Sequence, residues 1–461
     1  MENANYNNSR RRFLQNASLL LAGIPLMKLN SFAASNYHGQ ALELQRNTPQ
    51  TVKADKRIKL TFGEEVMVMP EGLQPSMLCT QKGTIVVQSQ LPKKPLPQKR
   101  IYYPFAMKTV VSRDGGQNWA EVPLKEGDNG LDLEGAMAQL KDGTIIGLET
   151  YVIPGDKPDT GAGLMYISTD DYKTLQGPID ITFDMPNADF YGSSDDGGRP
   201  HIAMRLHRRL IELPNGDLLT TIYGWQKGDE AKSTYEPNMK RTRVMLFKSK
   251  NKGHHWTYVS TVSDDVHAGT EGMGEPVIVR VSKGKRAGRL ICHIRSGYEL
   301  YATHSDDGGK TWVKAKPVVF GGIDVYKTAD WADLFKDVKR KGVLITPDSP
   351  ELIGAVVDPD LIETRSGVLV AAFGVRIGAK ICWTIPTYPW NGNYLAFSID
   401  GGDTWSQVTR LTTGIDTTHY MCVEETPKNN ELFVVYDFGH WNGKEGRYTY
   451  GRKVNISVNK A

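Results

Sequence analysis

The fold of this chain is decided by the stretch Ser112-Arg113-Asp114-Gly115-Gly116-Gln117-Asn118-Trp119, whose pattern S-x-D-x-G-x-x-W recurs. Full copies occupy 305–312 and 398–405, a copy with asparagine for the aspartate occupies 249–256, and a copy without the glycine and tryptophan occupies 168–175. The aspartate can accept hydrogen bonds from turn amides, the glycine can take a positive φ, and the tryptophan can pack under the next strand. The repeat therefore predicts a recurring hairpin turn, and by itself it indicates folding rather than catalysis.

A second repeat consists of tight turns between two apolar runs, the pattern of a hairpin between antiparallel strands. These turns are 60 to 79 residues apart, which leaves room for four short strands in each unit. Six such hairpins predict an all-β fold, a six-bladed β-propeller with four-stranded antiparallel blades, closed through strands near 58–69 or 448–458. The turns lie at Lys82-Gly83, Asp142-Gly143, Asn215-Gly216, Ala287-Gly288, Ser366-Gly367 and Asn429-Asn430.

The N-terminus reads as a separate segment. Ser9-Arg10-Arg11-Arg12-Phe13-Leu14 precedes an apolar stretch at 17–27 and small residues at 32–35, the arrangement of a twin-arginine export signal. We expect residues 1–35 to be this signal, removed or disordered, residues 36–461 to form a single propeller domain, and the protein to be periplasmic or secreted. A basic start on an anchored N-terminal helix is the alternative.

Composition limits the partners. Of the 461 residues, 39% are hydrophobic and no apolar run is long enough to span a bilayer, so no integral membrane segment is expected in the mature chain. The 56 basic and 52 acidic residues nearly balance and form no basic tract, which argues against a nucleic-acid partner. We expect a glycan or polysaccharide substrate and a monomer.

The cysteines and the motif search predict no cofactor and no metal site. The four cysteines are far apart and lack the spacing of a metal site, so we expect buried thiols, with a disulfide as the alternative. The chain contains no P-loop, no dinucleotide fingerprint and no HExxH. The cysteines are Cys79, Cys292, Cys382 and Cys422.

The innermost strand of each propeller blade lines the central channel, so residues at its mouth can converge although they are far apart in sequence. Counting back nine to thirteen residues from each hairpin turn identifies one such residue in every unit. The resulting ring is rich in carboxylates and includes a histidine and a tyrosine. It consists of Gln74, Glu134, His207, Glu275, Asp358 and Tyr420.

With these residues the whole mature chain resembles the sialidase (neuraminidase) superfamily of Asp-box, or BNR-repeat, propellers. Gly274-Glu275-Pro276-Val277-Ile278 is similar to the segment holding the glutamate that activates a tyrosine, and His419-Tyr420-Met421-Cys422 is similar to the nucleophile strand. The resemblance implies a Tyr420 nucleophile and a Glu275 base. It also implies that Arg295, in Cys292-His293-Ile294-Arg295-Ser296, belongs to a clamp for the substrate carboxylate.

The chain also departs from the family pattern. Leu73-Gln74-Pro75-Ser76 lacks the first clamp arginine, and 91–111 contains no carboxylate where the family has its acid/base aspartate. We therefore expect Glu134 to be the general acid, with Asp195 or Asp196 as the alternative. Other substrate-binding candidates are Gln74, Asp358, Arg376 as the nearest third clamp arginine, and the cluster Arg205-Leu206-His207-Arg208-Arg209. Strand alternation predicts that Arg205, His207 and Arg209 share one face.

Three functions are consistent with this pattern. The first is a retaining exo-glycoside hydrolase acting on a terminal α-linked acidic or unusual sugar, since a neutral tyrosine can attack an anomeric carbon beside an anionic group that would repel a carboxylate. The second is a polysaccharide lyase in which Tyr420 or His207 removes the proton beside a uronic acid carboxylate held by Arg295 and Arg205. The third is a glycan-binding propeller without activity. The exo-arabinanases, which share the fold, are a further hydrolase alternative.

Overall fold

The computed structural model describes residues 47–95, 105–123, 133–192, 202–234, 238–297, 299–318, 320, 339–340, 343–344, 355–376, 391–412, 418–439 and 447–459. Within these ranges the secondary structure is β-strand, apart from one 3-10 turn at Gly284–Arg286. The strands are β1 Gln50–Lys53, β2 Ile58–Phe62, β3 Val66–Met69, β4 Leu73–Cys79, β5 Ile85–Pro95, β6 Phe105–Ser112, β7 Ala120–Glu121, β8 Ala136–Gln139, β9 Ile145–Leu148, β10 Tyr151–Pro154, β11 Thr160–Ser168, β12 Gln176–Asp184, β13 Ala188–Asp189, β14 Met204–Glu212, β15 Leu218–Gln226, β16 Arg243–Ser249, β17 His255–Ser263, β18 Gly274–Arg280, β19 Leu290–Arg295, β20 Leu300–Ser305, β21 Lys316–Pro317, β22 Lys339–Arg340, β23 Val343–Leu344, β24 Ala355–Glu363, β25 Leu369–Arg376, β26 Gly392–Ser398, β27 Ser406–Arg410, β28 Met421–Glu425, β29 Glu431–Phe438 and β30 Tyr448–Val458.

The sheets are built from antiparallel runs of four strands. Two runs stand alone, β4-β5-β6-β7 and β18-β19-β20-β21, and β24 to β27 gain β1 at their outer edge. A ten-stranded sheet contains two more runs, β8-β9-β11-β12 and β14-β15-β16-β17, joined where β12 pairs in parallel with β17 and β8 with β14. The last run, β28-β29-β30, is completed by the N-terminal strand β2. The segments expected to close the fold, near 58–69 and 448–458, thus pair with each other.

The six predicted hairpins are confirmed as antiparallel pairs: β4–β5, β8–β9, β14–β15, β18–β19, β24–β25 and β28–β29. The fourth has a longer connection, residues 281–289, which contains the 3-10 turn. We call the first strand of each pair an inner strand. Neighbouring inner strands contact one another in the order β8, β14, β18, β24, β28, β4. Strands distant in sequence therefore lie side by side.

The repeated S-x-D pattern forms a turn, as predicted, and this turn joins the third and fourth strands of a run. The Ser112 hydroxyl donates to Asp114 Oδ1 (2.8 Å), and that oxygen accepts from the backbone amides of Gln117 (3.0 Å) and Asn118 (2.9 Å). The copy at 168–175 keeps the geometry without its glycine, because Tyr172 adopts a φ of 60° there. The serine and aspartate are therefore sufficient to form the turn.

Apolar side chains fill the space between adjacent runs. One buried cluster joins Val277 and Ile291 of the β18–β21 run to Leu369 and Phe373 of the next run. Another joins that run to the last one, with Leu395 packed among residues of β28 to β30. Each sheet is thus stabilised by burying a face against its neighbour, and burial of apolar surface is the main favourable contribution to folding.

A repeated hydrogen bond, which we call a clasp, joins neighbouring inner hairpins. In each clasp, the side chain of the last residue of one inner strand accepts a hydrogen bond from a backbone N–H in the turn of the preceding inner hairpin. The clasps are Gln139 from Gln81 (2.6 Å), Glu212 from Lys141 (2.7 Å), Glu363 from Ser282 (2.7 Å) and Glu425 from Arg365 (2.7 Å). The other two turns carry Pro214 and Pro427 at this position, which have no N–H. The strands that would pair with them end in Arg280 and Cys79, which offer no carboxylate or amide acceptor.

Cys79, Cys292 and Cys422 are free thiols, and Cys292 and Cys422 are buried. Cys382 and the N-terminal segment 1–35 lie outside the described residues. No helix in the described ranges has the length and apolar character needed to cross a membrane.

Candidate functional site

The six predicted ring residues occupy equivalent places in the fold. Each lies five positions before the last residue of an inner strand, so all six lie at the same end of the inner strands. We call this end the mouth. The hairpin turns and clasps lie at the opposite, far end. The residues are Gln74, Glu134, His207, Glu275, Asp358 and Tyr420.

Backbone bulges shape the mouth. The pairing register shifts in β4, β14, β18 and β24, and a residue with positive φ lies in each shift: Gln74 (53°), Arg208 (56°), Glu275 (39°) and Asp358 (49°). Side chains other than glycine rarely adopt this conformation, which costs about 1–3 kcal/mol each and concentrates at functional sites. The bulges break strand alternation, so neighbouring polar side chains can turn toward the same point.

Tyr420 and Glu275 form the centre of the site. The Tyr420 hydroxyl donates to Glu275 Oε1 across 3.1 Å, although the residues are 145 positions apart in sequence. Arg295 Nη1 donates to the same carboxylate oxygen (2.5 Å) and to the Tyr420 hydroxyl (3.1 Å). The Arg376 guanidinium lies 5.4 Å from the centre of the Tyr420 ring, and its Nε donates to the Thr418 carbonyl (2.9 Å). These four predicted residues are therefore brought together.

Their protonation follows from burial and charge. Burial alone would raise the pKa of Glu275, but the charge of Arg295 and hydrogen bonds from Arg295 and Tyr420 lower it to about 2. Burial, together with the charge of Glu275, raises the pKa of Tyr420 well above its ordinary value. At neutral pH the pair is therefore a neutral phenol bonded to an ionised carboxylate, which is ready to accept the phenolic proton.

Glu271 belongs to the site and was missed by sequence analysis. Its Oε1 lies 2.8 Å from Arg295 Nε, so Arg295 is held between two glutamates, and burial raises the pKa of Glu271. Glu271 precedes β18 in Gly269-Thr270-Glu271-Gly272, outside the inner-strand pattern used to find the ring. The resemblance assigned Arg295 to a substrate clamp, whereas here it also neutralises Glu271 and Glu275.

A second ionic group lies beside this centre. Arg208 Nε donates to Asp358 Oδ1 (3.0 Å), its Nη2 contacts both carboxylate oxygens, and Nη2 also reaches the Pro75 carbonyl (3.4 Å). Asp358 accepts from the Met421 amide (2.8 Å) and donates its own amide to Glu275 Oε2 (3.3 Å). Arg208, which was named only as part of a cluster, thus ties three inner strands together.

The prediction that Arg205, His207 and Arg209 share one face is wrong, because the register shifts between Leu206 and Leu210. Arg205 lies over the Tyr151 ring (5.4 Å) and reaches the Tyr223 hydroxyl (3.4 Å). Arg209 pairs with Asp360 through Nε (2.8 Å) and contacts Glu424 toward the far end. The three side chains therefore contact three different sets of residues.

The remaining candidates frame the site. The backbone N–H of Gln74 donates to Asp437 Oδ2 (2.8 Å). Asp437 also accepts from the backbone N–H of Thr418 (3.0 Å), two residues before Tyr420. Asp437 was missed, although an aspartate inside the apolar run of β29 was a usable signal. Glu134 is half-buried, and its carbonyl accepts from the Arg208 amide (2.9 Å). Asp195 and Asp196 lie outside the described residues.

His207, Glu275 and Asp358 place one ligand atom each within 4.8 Å of the others, a spacing that could hold a metal ion. Arg208 already occupies both oxygens of Asp358, and Arg295 occupies Glu275. Two guanidinium charges at these carboxylates repel a divalent cation, so the donor set fits internal ion pairs better than a metal.

Comparison with known proteins places the fold. No protein-family model and no curated protein sequence matches the chain. Among solved structures, a Dyadobacter fermentans protein of unknown function is similar at 17% identity, 86% coverage of this chain, 99% of that chain and a TM-score of 0.55. The Hadza microbial sialidase Hz136 is 17% identical, with 84% and 66% coverage and a TM-score of 0.50.

The Fusarium graminearum α-L-arabinofuranosidase Arb93A, solved with an iminosugar inhibitor, is 13% identical, with 85% and 97% coverage and a TM-score of 0.50. At these identities the likeness concerns the fold, and it covers 84–86% of this chain. Together with the all-β sheets and their inner hairpins, it assigns the architecture. The chain therefore has a sialidase-like β-propeller fold.

Proposed function

We propose that this protein is an exported exo-glycoside hydrolase that cleaves a terminal α-linked acidic or unusual sugar with retention of configuration. Tyr420 would be the nucleophile and Glu275 its base. The observation that carries this proposal is the 3.1 Å hydrogen bond between the Tyr420 hydroxyl and an ionised, buried Glu275. The fold likeness to a sialidase and an arabinofuranosidase supports a glycosidase more generally.

We further infer that the four-stranded runs form a closed six-bladed ring. The order of contacts between inner strands supports this, because β28, the last inner strand, contacts β4, the first. The clasp from Gln139 to the turn at Gln81 links the first hairpin to the second on its other side. Such a ring gives six inner strands one common mouth.

The chemistry needs two proton transfers in each half-reaction. In the first, the Tyr420 oxygen bonds to the anomeric carbon, the bond to the leaving oxygen breaks, Glu275 takes the phenolic proton, and a general acid protonates the leaving group. In the second, water attacks the anomeric carbon, the bond between that carbon and the Tyr420 oxygen breaks, the former acid takes a proton from the water, and Tyr420 regains its proton from Glu275. Arg295, between the two side chains, stabilises the phenolate character that develops on Tyr420.

Glu134 remains our candidate for the acid. It occupies the equivalent ring position at the mouth and is half-buried, as a carboxyl that must hold a proton near neutral pH should be. Asp195 and Asp196 remain the alternatives. Arg376 and Arg205 are the candidates for binding an acidic group on the sugar, because Arg295 is already held by two glutamates.

A lyase in which His207 is the base is less well supported. His207 is 1% exposed, and its Nδ1 lies 3.2 Å from the Pro276 carbonyl. A base that removes a proton from a polysaccharide must reach the substrate, and this imidazole is buried. The lyase alternative therefore depends on Tyr420 alone.

The test is product release from 4-methylumbelliferyl glycosides and acidic polysaccharides, followed by fluorescence, reducing ends and ultraviolet absorbance. We expect fluorescence with retained anomeric configuration by NMR, and mass-spectrometric trapping of a fluorosugar on Tyr420. Absorbance from an unsaturated product without hydrolysis would replace the proposal with the lyase. Binding to glycan arrays without turnover would replace it with a carbohydrate-binding propeller.

A further inference from the structure

His207 on β14 is buried between β18, which carries Glu275, and β24, which carries Asp358. Its Nδ1 lies 3.2 Å from the carbonyl oxygen of Pro276, the residue after Glu275. Its Nε2 lies 3.7 Å from Asp358 Oδ1 and has no hydrogen-bond partner among the described residues. The side chain is 2% exposed, so solvent does not satisfy either nitrogen.

The surroundings decide which nitrogens carry a proton. A neutral imidazole has one donor and one acceptor nitrogen. With the proton on Nδ1, the Nε2 lone pair would face the Asp358 carboxylate, and with the proton on Nε2, the Nδ1 lone pair would face the Pro276 carbonyl. Either neutral form places two acceptors against each other in a buried site, which is costly. Only the imidazolium presents a donor to both oxygens.

We propose that His207 is a protonated positioning residue that holds the Glu275 strand with one ring nitrogen and the Tyr420 strand, through Asp358, with the other. The inference deepens the proposed function and rests on it. Through Pro276, His207 fixes the backbone that follows Glu275, whose φ of 39° is strained. Through Asp358, which accepts from the Met421 amide at 2.8 Å, it fixes the residue that follows Tyr420.

Other charged groups meet the same imidazole or its partners. Glu275 approaches from β18 and Asp358 from β24, and both favour the imidazolium. Arg208, the next residue on β14, opposes it but is itself bonded to Asp358. The segment before β8 contributes Glu134, whose carbonyl accepts from the Arg208 amide. Replacing His207 with a neutral side chain would therefore weaken one of the two links that support the 3.1 Å contact between Tyr420 and Glu275.

The first measurement is direct: nitrogen NMR of histidine-labelled wild-type protein, with His207 assigned through backbone correlations. We expect both His207 nitrogens to carry a proton at pH 6. A neutral His207 at that pH overturns the inference, whatever the activity. If His207 is protonated and the wild type hydrolyses no glycoside, the proposed function fails and the protonation stands.

The second measurement compares kcat and KM of wild type and His207→Gln at pH 6. Glutamine is neutral and cannot replace an imidazolium between the Pro276 carbonyl and the Asp358 carboxylate, so we expect kcat to fall about 10-fold or more with KM within about 2-fold. An unchanged kcat overturns the inference.

His255→Gln is the matched control, because His255 lies on the surface and pairs with Thr182 (2.8 Å) and Asp184 (3.0 Å), away from the mouth. The His255→Gln variant should have the kcat and KM of wild type. If His207→Gln does not fold, the NMR measurement on the wild type still decides the protonation.

Discussion

The molecule contains two Tyr–Glu–Arg groups of nearly the same design. At the mouth, Tyr420 donates to Glu275 and Arg295 contacts both. In the last sheet, Tyr436 donates to Glu65, and Arg452 donates to the Tyr436 hydroxyl (3.0 Å) and to Glu65 (2.9 Å). Burial raises the pKa of both tyrosines well above the ordinary value. The same three side chains therefore do not by themselves identify an active site.

The two groups differ in access and in their neighbours. Tyr420 is 7% exposed, whereas Tyr436 is 0% exposed. Glu275 and Arg295 have side chains 14% and 12% exposed, against 8% for Glu65 and 4% for Arg452. The mouth adds further charges, whereas Arg452 also donates to the Asn47 carbonyl (2.7 Å) and so anchors the N-terminal strands. The comparison teaches that access and surplus charge, rather than the hydrogen bonds themselves, distinguish Tyr420, the proposed nucleophile, from Tyr436.

Removing the hydroxyl of Tyr420 or of Tyr436 should give the largest difference between the two groups. We expect Tyr420→Phe to lower kcat/KM by at least about 10³-fold, because the nucleophile is lost. Tyr436→Phe should leave kcat/KM unchanged and lower the free energy of unfolding by about 1–3 kcal/mol, because a buried carboxylate loses a donor. Initial rates and urea denaturation of both variants check this. Equal activity losses would mean that Tyr420 acts only through the fold.

Neutralising each glutamate should give a smaller contrast. Glu275→Gln keeps the shape but cannot take the phenolic proton, so the rate should fall by about 10²- to 10⁴-fold. Glu65→Gln should retain the wild-type rate and unfold at a lower temperature, since Arg452 loses its ionised partner. Steady-state kinetics and thermal melts distinguish the outcomes. Wild-type activity in Glu275→Gln would exclude it as the base.

Acidification should have the smallest effect and act on Glu275. Its pKa in the folded protein is about 2 against a reference of 4.5, so as pH falls the unfolded chain takes up the proton first. The stabilisation, about 3 kcal/mol, is fully present above pH 4.5 and is lost as pH approaches 2. The free energy of unfolding should therefore fall less between pH 6 and pH 3 in Glu275→Gln than in wild type. Identical pH slopes would contradict the assigned ionisation.

Local patterns were enough to predict the turns and the ring positions. The S-x-D repeat and the hairpin turns depend on side chains within a few residues, so the sequence specifies them directly. Counting from each turn also located Glu275 and Tyr420, because every inner strand has a similar length from mouth to turn. The bulge in β14 was missed because alternation assumes a regular strand, and it is the bulge that turns Arg208 toward Asp358.

Contacts between distant segments were the hardest to predict. Glu271 reaches Arg295 from a loop, and Asp437 supports Tyr420 from a neighbouring strand, so neither follows from spacing along one strand. The Tyr436 group was missed for the same reason, since Glu65 and Arg452 are 387 positions apart. A buried charge within an apolar run, as at Asp437 and Arg452, was the available signal.

The prolines in two of the inner hairpin turns divide the hairpins into two groups of three. Clasps connect the first three hairpins to one another and the last three to one another, but Pro214 and Pro427 leave the two boundaries between these halves without one. Hydrogen exchange should therefore be fastest where β14 meets β18 and where β28 meets β4. A chain cut near Pro214 would divide along a boundary that already lacks this bond, which makes the two halves natural fragments for reassembly in a split protein.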